Sequence, residues 1–199
     1  MQSGIVEFVI GENRRRFSIH AALAGSFAKE IFQPSINGQV DEVVFGRCCE
    51  FVYSGDYSVP LPTANLCGDP LNHRGNMFHP IKLPDICNFI KENLDKAPLD
   101  KDGEVLNTDP EDNYAGVFLS HAEVYLFAYT TDWLSLCALS PYQLIRSLVS
   151  FTLFEELTGD IVKLLKFVFE ENEYMHEMQD VLVDYVAWNV EILVRDADF

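Results

Sequence analysis

The sequence predicts an α+β fold that is mostly helical: a small β-sheet packed against a helical cluster, with further helices towards the carboxy terminus. Near the amino terminus, apolar residues recur at every second position in two short runs joined by a turn. From Ser120 onward they recur at helical spacing, in stretches that open on recognisable start signals. Between Pro60 and about Asn113 neither period is sustained, and most of the chain's nine prolines lie there.

In the first run, Ile5 to Ile10, alternation places Val6, Phe8 and Ile10 on one face; in the second, Arg14 to Ile19, it does the same for Phe17 and Ile19. Gly11-Glu12-Asn13 joins them as a hairpin. His20 to Phe32 is dense enough in Ala, Leu, Phe and Ile for a buried helix or helix pair, and Pro34 stops it. Residues 43 to 57 then read as one amphipathic helix. At about 100° per residue, Val44, Phe45, Cys48, Cys49, Phe51 and Val52 share an arc, with Gly46, Arg47 and Glu50 opposite. Ser54-Gly55-Asp56 ends it, because glycine adopts the positive φ that closes a last turn.

Residues 61 to 113 read as an insertion or long loop, in which Leu83 to Leu94 is expected to form one short helix with Asp85 as its cap. Ser120-His121-Ala122-Glu123 has the pattern of a capping box, followed by Ala122, Tyr125, Leu126, Tyr129 and Trp133 along one face. Ser140-Pro141-Tyr142-Gln143 has it too, with proline at the first helical position, ahead of Leu144, Ile145, Leu148 and Val149. A third helix is expected to begin at Asp160, carrying Ile161, Leu164, Leu165 and Val168. A fourth carries Met178, Val181, Leu182, Tyr185 and Ile192. No repeat with a period of about 20 to 50 residues is present.

A chain of 199 residues, 48% of them hydrophobic, can bury a real core. Its formal net charge of −17 repels nucleic-acid phosphates, so partners are expected to be proteins and not nucleic acid. The apolar runs fall short of the ~18 to 20 residues needed to cross a bilayer, and the amino terminus lacks a charged-then-apolar leader. No membrane association and an intracellular location, cytoplasmic or nuclear, are therefore expected. Five cysteines, two of them adjacent on an apolar helix face, read as reduced core thiols.

Cys67, His73, His79 and Cys87 are candidate metal ligands, since two thiolates and two imidazoles close a tetrahedral zinc site. Such a zinc-stabilised binding module is the alternative reading of the chain. The spacings of five, five and seven residues match no tight C-x2-C knuckle, which favours unliganded loop residues. A Cys–His enzyme would use Cys48, Cys49 or Cys137 as nucleophile. All three sit on apolar faces that disfavour a thiolate, and no phosphate loop, nucleophile elbow or zinc-protease motif is present. No catalytic residue and no cofactor are assigned, and the chain is not expected to be an enzyme. Arg14, Arg15 and Arg16 are the one basic cluster, divided between two faces by alternation, where a charged strand edge discourages aggregation. Glu170, Glu171, Glu173 and Glu177 form an acidic stripe that suits either a partner surface or a solvated helix connection.

Three blocks stand in order: FVIGENRRRFSIHAALAGSF, VDEVVFGRCCEFVYSGDY and SHAEVYLFAYTTDWLSLCALSPYQLIRSL. Together they resemble the BTB/POZ domain, particularly its fungal form, in which a variable loop separates the second block from the third. The likeness rests on Phe17, His20 and Leu23, then Phe45, Tyr53, Gly55 and Tyr57, then His121, Ala122, Tyr125 and Ala128. It covers roughly residues 4 to 60 and 114 to 150, within a domain of 1–150 interrupted at 61–113. Residues 151–199 resemble the carboxy-terminal helical extension of such proteins. Phe27 to Val40 is shorter than the corresponding family stretch, so the sheet is expected to lose a strand or rebuild its edge. The resemblance implies a protein–protein interaction module that commonly dimerises and, in many relatives, bridges a cullin ubiquitin ligase scaffold to a substrate. It also assigns His20 and His121, each expected to begin a helix, to structure.

Overall fold

The two alternating runs pair as an antiparallel hairpin, β1 (Ile5–Ile10) and β2 (Arg15–His20), in a computed structural model that describes residues 4–25, 40–64, 112–172 and 174–195. Phe8 stands opposite Phe17 and Ile10 opposite Arg15, so Phe8, Ile10 and Ile19 share the buried face while Ile5 and Val9 point outward. The turn takes one residue more than expected. Gly11 and Arg14 both have positive φ (77° and 55°), and the Arg14 N–H donates to the Gly11 carbonyl at 3.1 Å. A β-carbon at Gly11 would lie 2.3 Å from Cγ of Glu42, whose carboxylate accepts from the Asn13 N–H.

Helix α1 (Ala21–Ala24) follows directly; the rest of the helix expected up to Phe32, and the shortened stretch up to Val40, lie outside the described residues apart from Val40 itself. Helix α2 (Glu42–Ser54) starts where Asp41 caps it, its carboxylate accepting from the amides of Val43 and Val44 at 2.7 and 3.0 Å. It ends as read: Gly55 has φ 79° and its N–H donates to the Phe51 carbonyl at 2.8 Å. Glu50 then accepts from both the amide and the hydroxyl of Ser58.

A two-residue pair, β3 (Thr63–Ala64) with β4 (Asp112–Asn113), brackets the long segment between them. The expected helix at 83–94 and the four metal candidates lie outside the described residues. Helix α3 runs Ala115–Thr130 and α4 runs Leu134–Ser150, so both starts differ from expectation. Ser120 is interior, its hydroxyl donating back to the Gly116 carbonyl at 2.6 Å. The first turn is held instead by Asn113, which accepts from the Ala115 amide, and by the distant Asp160, which accepts from the Tyr114 amide at 2.7 Å. Likewise Ser140 bonds back to Leu136 at 2.6 Å, leaving Pro141 inside α4.

Just ahead of the earlier start of α4, α3 is closed by a turn that the sequence reading passed over. Asp132 is left-handed (φ 54°), the Trp133 N–H reaches the Ala128 carbonyl at 2.8 Å, and the Asp132 N–H reaches Tyr129 at 3.2 Å. This is a Schellman closure with aspartate where glycine is usual. Trp133 therefore lies beyond α3 and not on its face. A 3₁₀ turn (Glu155–Leu157) leads into α5 (Thr158–Leu165), which continues as a π-helical segment (Lys166–Glu171). Helix α6 spans His176–Leu193 and buries Met178, Val181, Leu182, Tyr185 and Ile192, the five residues read as its stripe.

The chain forms two compact units, residues 1–59 with 123–140 and residues 60–122 with 141–199. In the first, Phe8, Ile10 and Ile19 of the hairpin, Phe45 and Cys48 of α2, and Val124, Phe127, Ala128, Trp133 and Leu136 form one core. In the second, Tyr114, Phe118 and Phe151 make an aromatic cluster with ring centres 5.0 to 6.3 Å apart. Leu144, Ile145, Leu148, Ile161, Leu164 and Val168 are also buried there.

Candidate functional site

The residues that carry the family likeness are for the most part packing residues: the first unit gathers Phe17, Leu23, Phe45, Tyr57 and Ala128 in one core and pairs His20 with Tyr53. Phe45 is fully buried, with Phe17 edge-on at 5.0 Å and Phe8 at 5.3 Å between ring centres; Leu23 packs partly buried against the same core. His20 ends β2 and leads into α1. Its Nδ1 lies 2.9 Å from the Tyr53 hydroxyl, which also accepts from the His20 amide at 3.2 Å. This pair is exposed, Tyr53 at 52%.

Tyr57 is buried, and burial pushes its phenol well up, opposed by a hydrogen bond with Ser140. Tyr125 and Ala128 are fully buried. In the second unit Ala122 is fully buried, and His121, inside α3 and not at its start, sets Nε2 3.1 Å from the Ser147 hydroxyl. Both histidines thus hold side-chain hydroxyls.

Arg47 is the residue whose placement the sequence reading missed. Assigned to the solvent side of α2, it is buried at 8% exposure, with Nη1 3.6 Å from a carboxylate oxygen of Glu123. That distance makes an ion pair and is too long for a hydrogen bond, and Nη1 has no other hydrogen-bond partner. Burial pushes the Glu123 carboxyl above its ordinary range, which Arg47 opposes and Asp41 reinforces. A signal existed: Arg47 lies only about 40° around the helix from Phe51, at the edge of the apolar arc.

The thiols are poor nucleophiles as placed. Cys48 is fully buried and held well above the ordinary thiol range by burial, with Cys49 adding to it; Cys49 and Cys137 are pushed by burial to about 11. The basic cluster is dispersed by local partners. Arg14 sits in the turn, not in β2; Arg15 lies 5.2 Å over the Phe17 ring, and Arg16 stands 3.8 Å from Glu7. Glu170, Glu171 and Glu177 are exposed, while Glu173 lies outside the described residues. Among the described residues, no group of three or more His, Cys, Asp or Glu side chains is placed to hold a metal ion, and no helix is long and apolar enough to cross a membrane.

No family model, curated protein or solved structure matches the chain.

Proposed function

We propose that the chain is a protein–protein interaction module of BTB/POZ type, which self-associates or serves as an adaptor and engages a cullin-type ubiquitin ligase scaffold in the cytoplasm or nucleus, with no catalysis of its own. The observation that supports this reading is the meeting of three separate sequence blocks in one core: Phe8, Ile10 and Ile19 from the first, Phe45 and Cys48 from the second, Val124, Phe127 and Ala128 from the third. Those blocks carry the family likeness, and they pack on one another although the long segment 65–111 separates the second from the third. The raised thiols speak against a cysteine nucleophile. A net charge of −17 disfavours nucleic acid.

The test is multi-angle light scattering of the full chain at roughly ten to a hundred micromolar, together with pull-down of purified cullin scaffolds; affinities in that range suit a transient module. A dimer, or a captured cullin, is the expected result. A strict monomer that captures no cullin overturns the proposal.

A further inference from the structure

At about 100° per residue, helix α6 carries three arcs. Met178, Leu182, Tyr185, Asn189 and Leu193 are buried. Beside them Val183, Ala187 and Val190 recur one turn apart and are exposed, and Val194, just past the helix, continues the stripe. The three valines expose 54, 42 and 58% of their surface. Beyond the stripe lie Asp180, Asp184 and Glu191. The apolar arc of α6 is therefore wider than the core that covers it, and its uncovered part is flanked by acid.

That uncovered part is not a flat ridge. Val183 and Ala187 form one wall of an open groove of about 500 Å³, whose other wall comes from Leu165 of α5 and Phe169 of the π-helical segment. The π segment matters because its wider turn displaces side chains from regular helical register. Phe169 stands 42% exposed, while the carbonyls beside it are held by side chains: Asn172 donates to Phe167 at 2.8 Å and Gln179 to Val168 at 3.2 Å. These bonds give the backbone of the wall partners outside its own helical turns. Lys166 and Glu170 stand at its rim.

We infer that the α6 groove docks a cationic amphipathic helix of another protein, laid along Val183, Ala187 and Val190, with its basic residues facing Asp180, Asp184 and Glu191. From Val183 to Val194 the stripe runs about 16 Å, the length of a three-turn helix, and helix-in-groove docking is read by residues one turn apart. Charge selects the occupant. A second copy would bring the same acidic flank to this contact, and an anionic surface would be repelled in the same way. A helix with Lys or Arg beside its apolar stripe meets complementary charge. This surface is separate from the core assembled by the three sequence blocks, so the inference stands or falls independently of the family reading.

The probe is a fluorescein-labelled peptide of about 14 residues built from Leu and Lys with Leu at i, i+3, i+4 and i+7, read by anisotropy against the full chain. Its partner control has the same composition in an order that forms no face. The first should bind in roughly the micromolar range and the second about tenfold or more weaker. Val183→Ser with Val190→Ser should weaken binding about tenfold, with the circular dichroism spectrum unchanged, since both side chains are exposed. Ala187→Arg, which sets a cation at a different point of the stripe, should do the same. Equal binding of the two peptides, or unchanged binding by these variants, overturns the inference. So does a dimer of the unaltered chain that Val183→Ser with Val190→Ser dissolves, since the stripe is then covered by a second copy.

Discussion

Replacing Asp160 separates what its shape does from what its charge does. The carboxylate is buried at 5% exposure, accepts from the Tyr114 amide at 2.7 Å, and has Lys163 at 3.7 Å. In Asp160→Ala the Tyr114 amide is left buried without a partner, a loss of about 1–3 kcal/mol, which overlaps with the roughly 1 kcal/mol of a lost helix cap; we expect about 2 kcal/mol in total. Asp160→Asn keeps an acceptor oxygen. The ion pair it loses involves a Lys163 side chain 57% exposed, worth little, so we expect a change within about 0.5 kcal/mol. The sign of the pH dependence follows from the raised pKa, which burial causes against the pull of the Tyr114 and Ala115 amides and Lys163. A carboxyl whose folded-state pKa exceeds its unfolded value holds its proton more tightly when folded, so stability falls as pH rises through the window between the two values. The unaltered chain should gain stability between neutral pH and that window, and Asp160→Asn should lose that share of the gain. Urea unfolding followed by circular dichroism measures the stabilities, and hydrogen exchange at Tyr114 reads the cap directly. Equal loss in the two variants refutes the capping argument, as does a Tyr114 amide still protected in Asp160→Ala.

Gly55→Ala should cost about 1–2 kcal/mol, the penalty of a left-handed residue bearing a β-carbon, because that carbon would meet nothing within 4 Å and packing adds no further term. Gly55→Asn should cost less, and urea midpoints rank the two. Arg47→Met should change stability by less than about 1 kcal/mol, since it removes a buried charge and keeps the volume, whereas Glu123→Ala leaves that charge buried alone and should cost about 1–3 kcal/mol; thermal melts of both variants decide whether the pair or the packing matters. In a Cys67→Ser/Cys87→Ser background, Cys49 and Cys137 should label slowly with a disulfide reagent at neutral pH and about tenfold faster per pH unit towards 11, with Cys48 slowest. A thiol that reacts fast at neutral pH contradicts their placement.

Local chemistry was legible wherever cause and effect lie within a few residues. The hairpin faces follow from alternation, the end of α2 from Gly55, and the buried stripe of α6 from its period. Prediction failed where a second element competes with a local signal. Ser120-His121-Ala122-Glu123 has the composition of a capping box, but Asp160, 46 residues away in sequence, holds the amide that begins α3, and no local pattern announces that. Ser140-Pro141 has the composition of a start, but the Schellman closure at Asp132 ends α3, α4 begins at Leu134 with the Cys137 N–H donating to the Trp133 carbonyl, and Ser140 turns its hydroxyl back to Leu136. Arg47 shows the same limit at a site: a single helix wheel places it at the edge of the apolar arc, and only Glu123 on α3 accounts for a charged residue on the buried side.

Helices α2 and α6 make opposite uses of the same pattern. Each has an apolar arc flanked by charge, yet α2 satisfies its arc internally, to the point of taking Arg47 below the surface beside Phe45 and Cys48, whereas α6 leaves Val183, Val190 and Val194 exposed. The difference is in what each arc meets. In the α2 arc Phe45 meets the hairpin's Phe8 and Phe17, and Phe51 meets Trp133, at aromatic contact distance. The α6 arc meets a groove whose opposite wall, at Phe169, is itself half exposed. Fully burying a valine yields about 1.5 kcal/mol or more, so three that are each about half exposed on one stripe withhold roughly 2 kcal/mol from folding. That energy is available to a ligand, and the acid beside the stripe restricts which ligand can collect it.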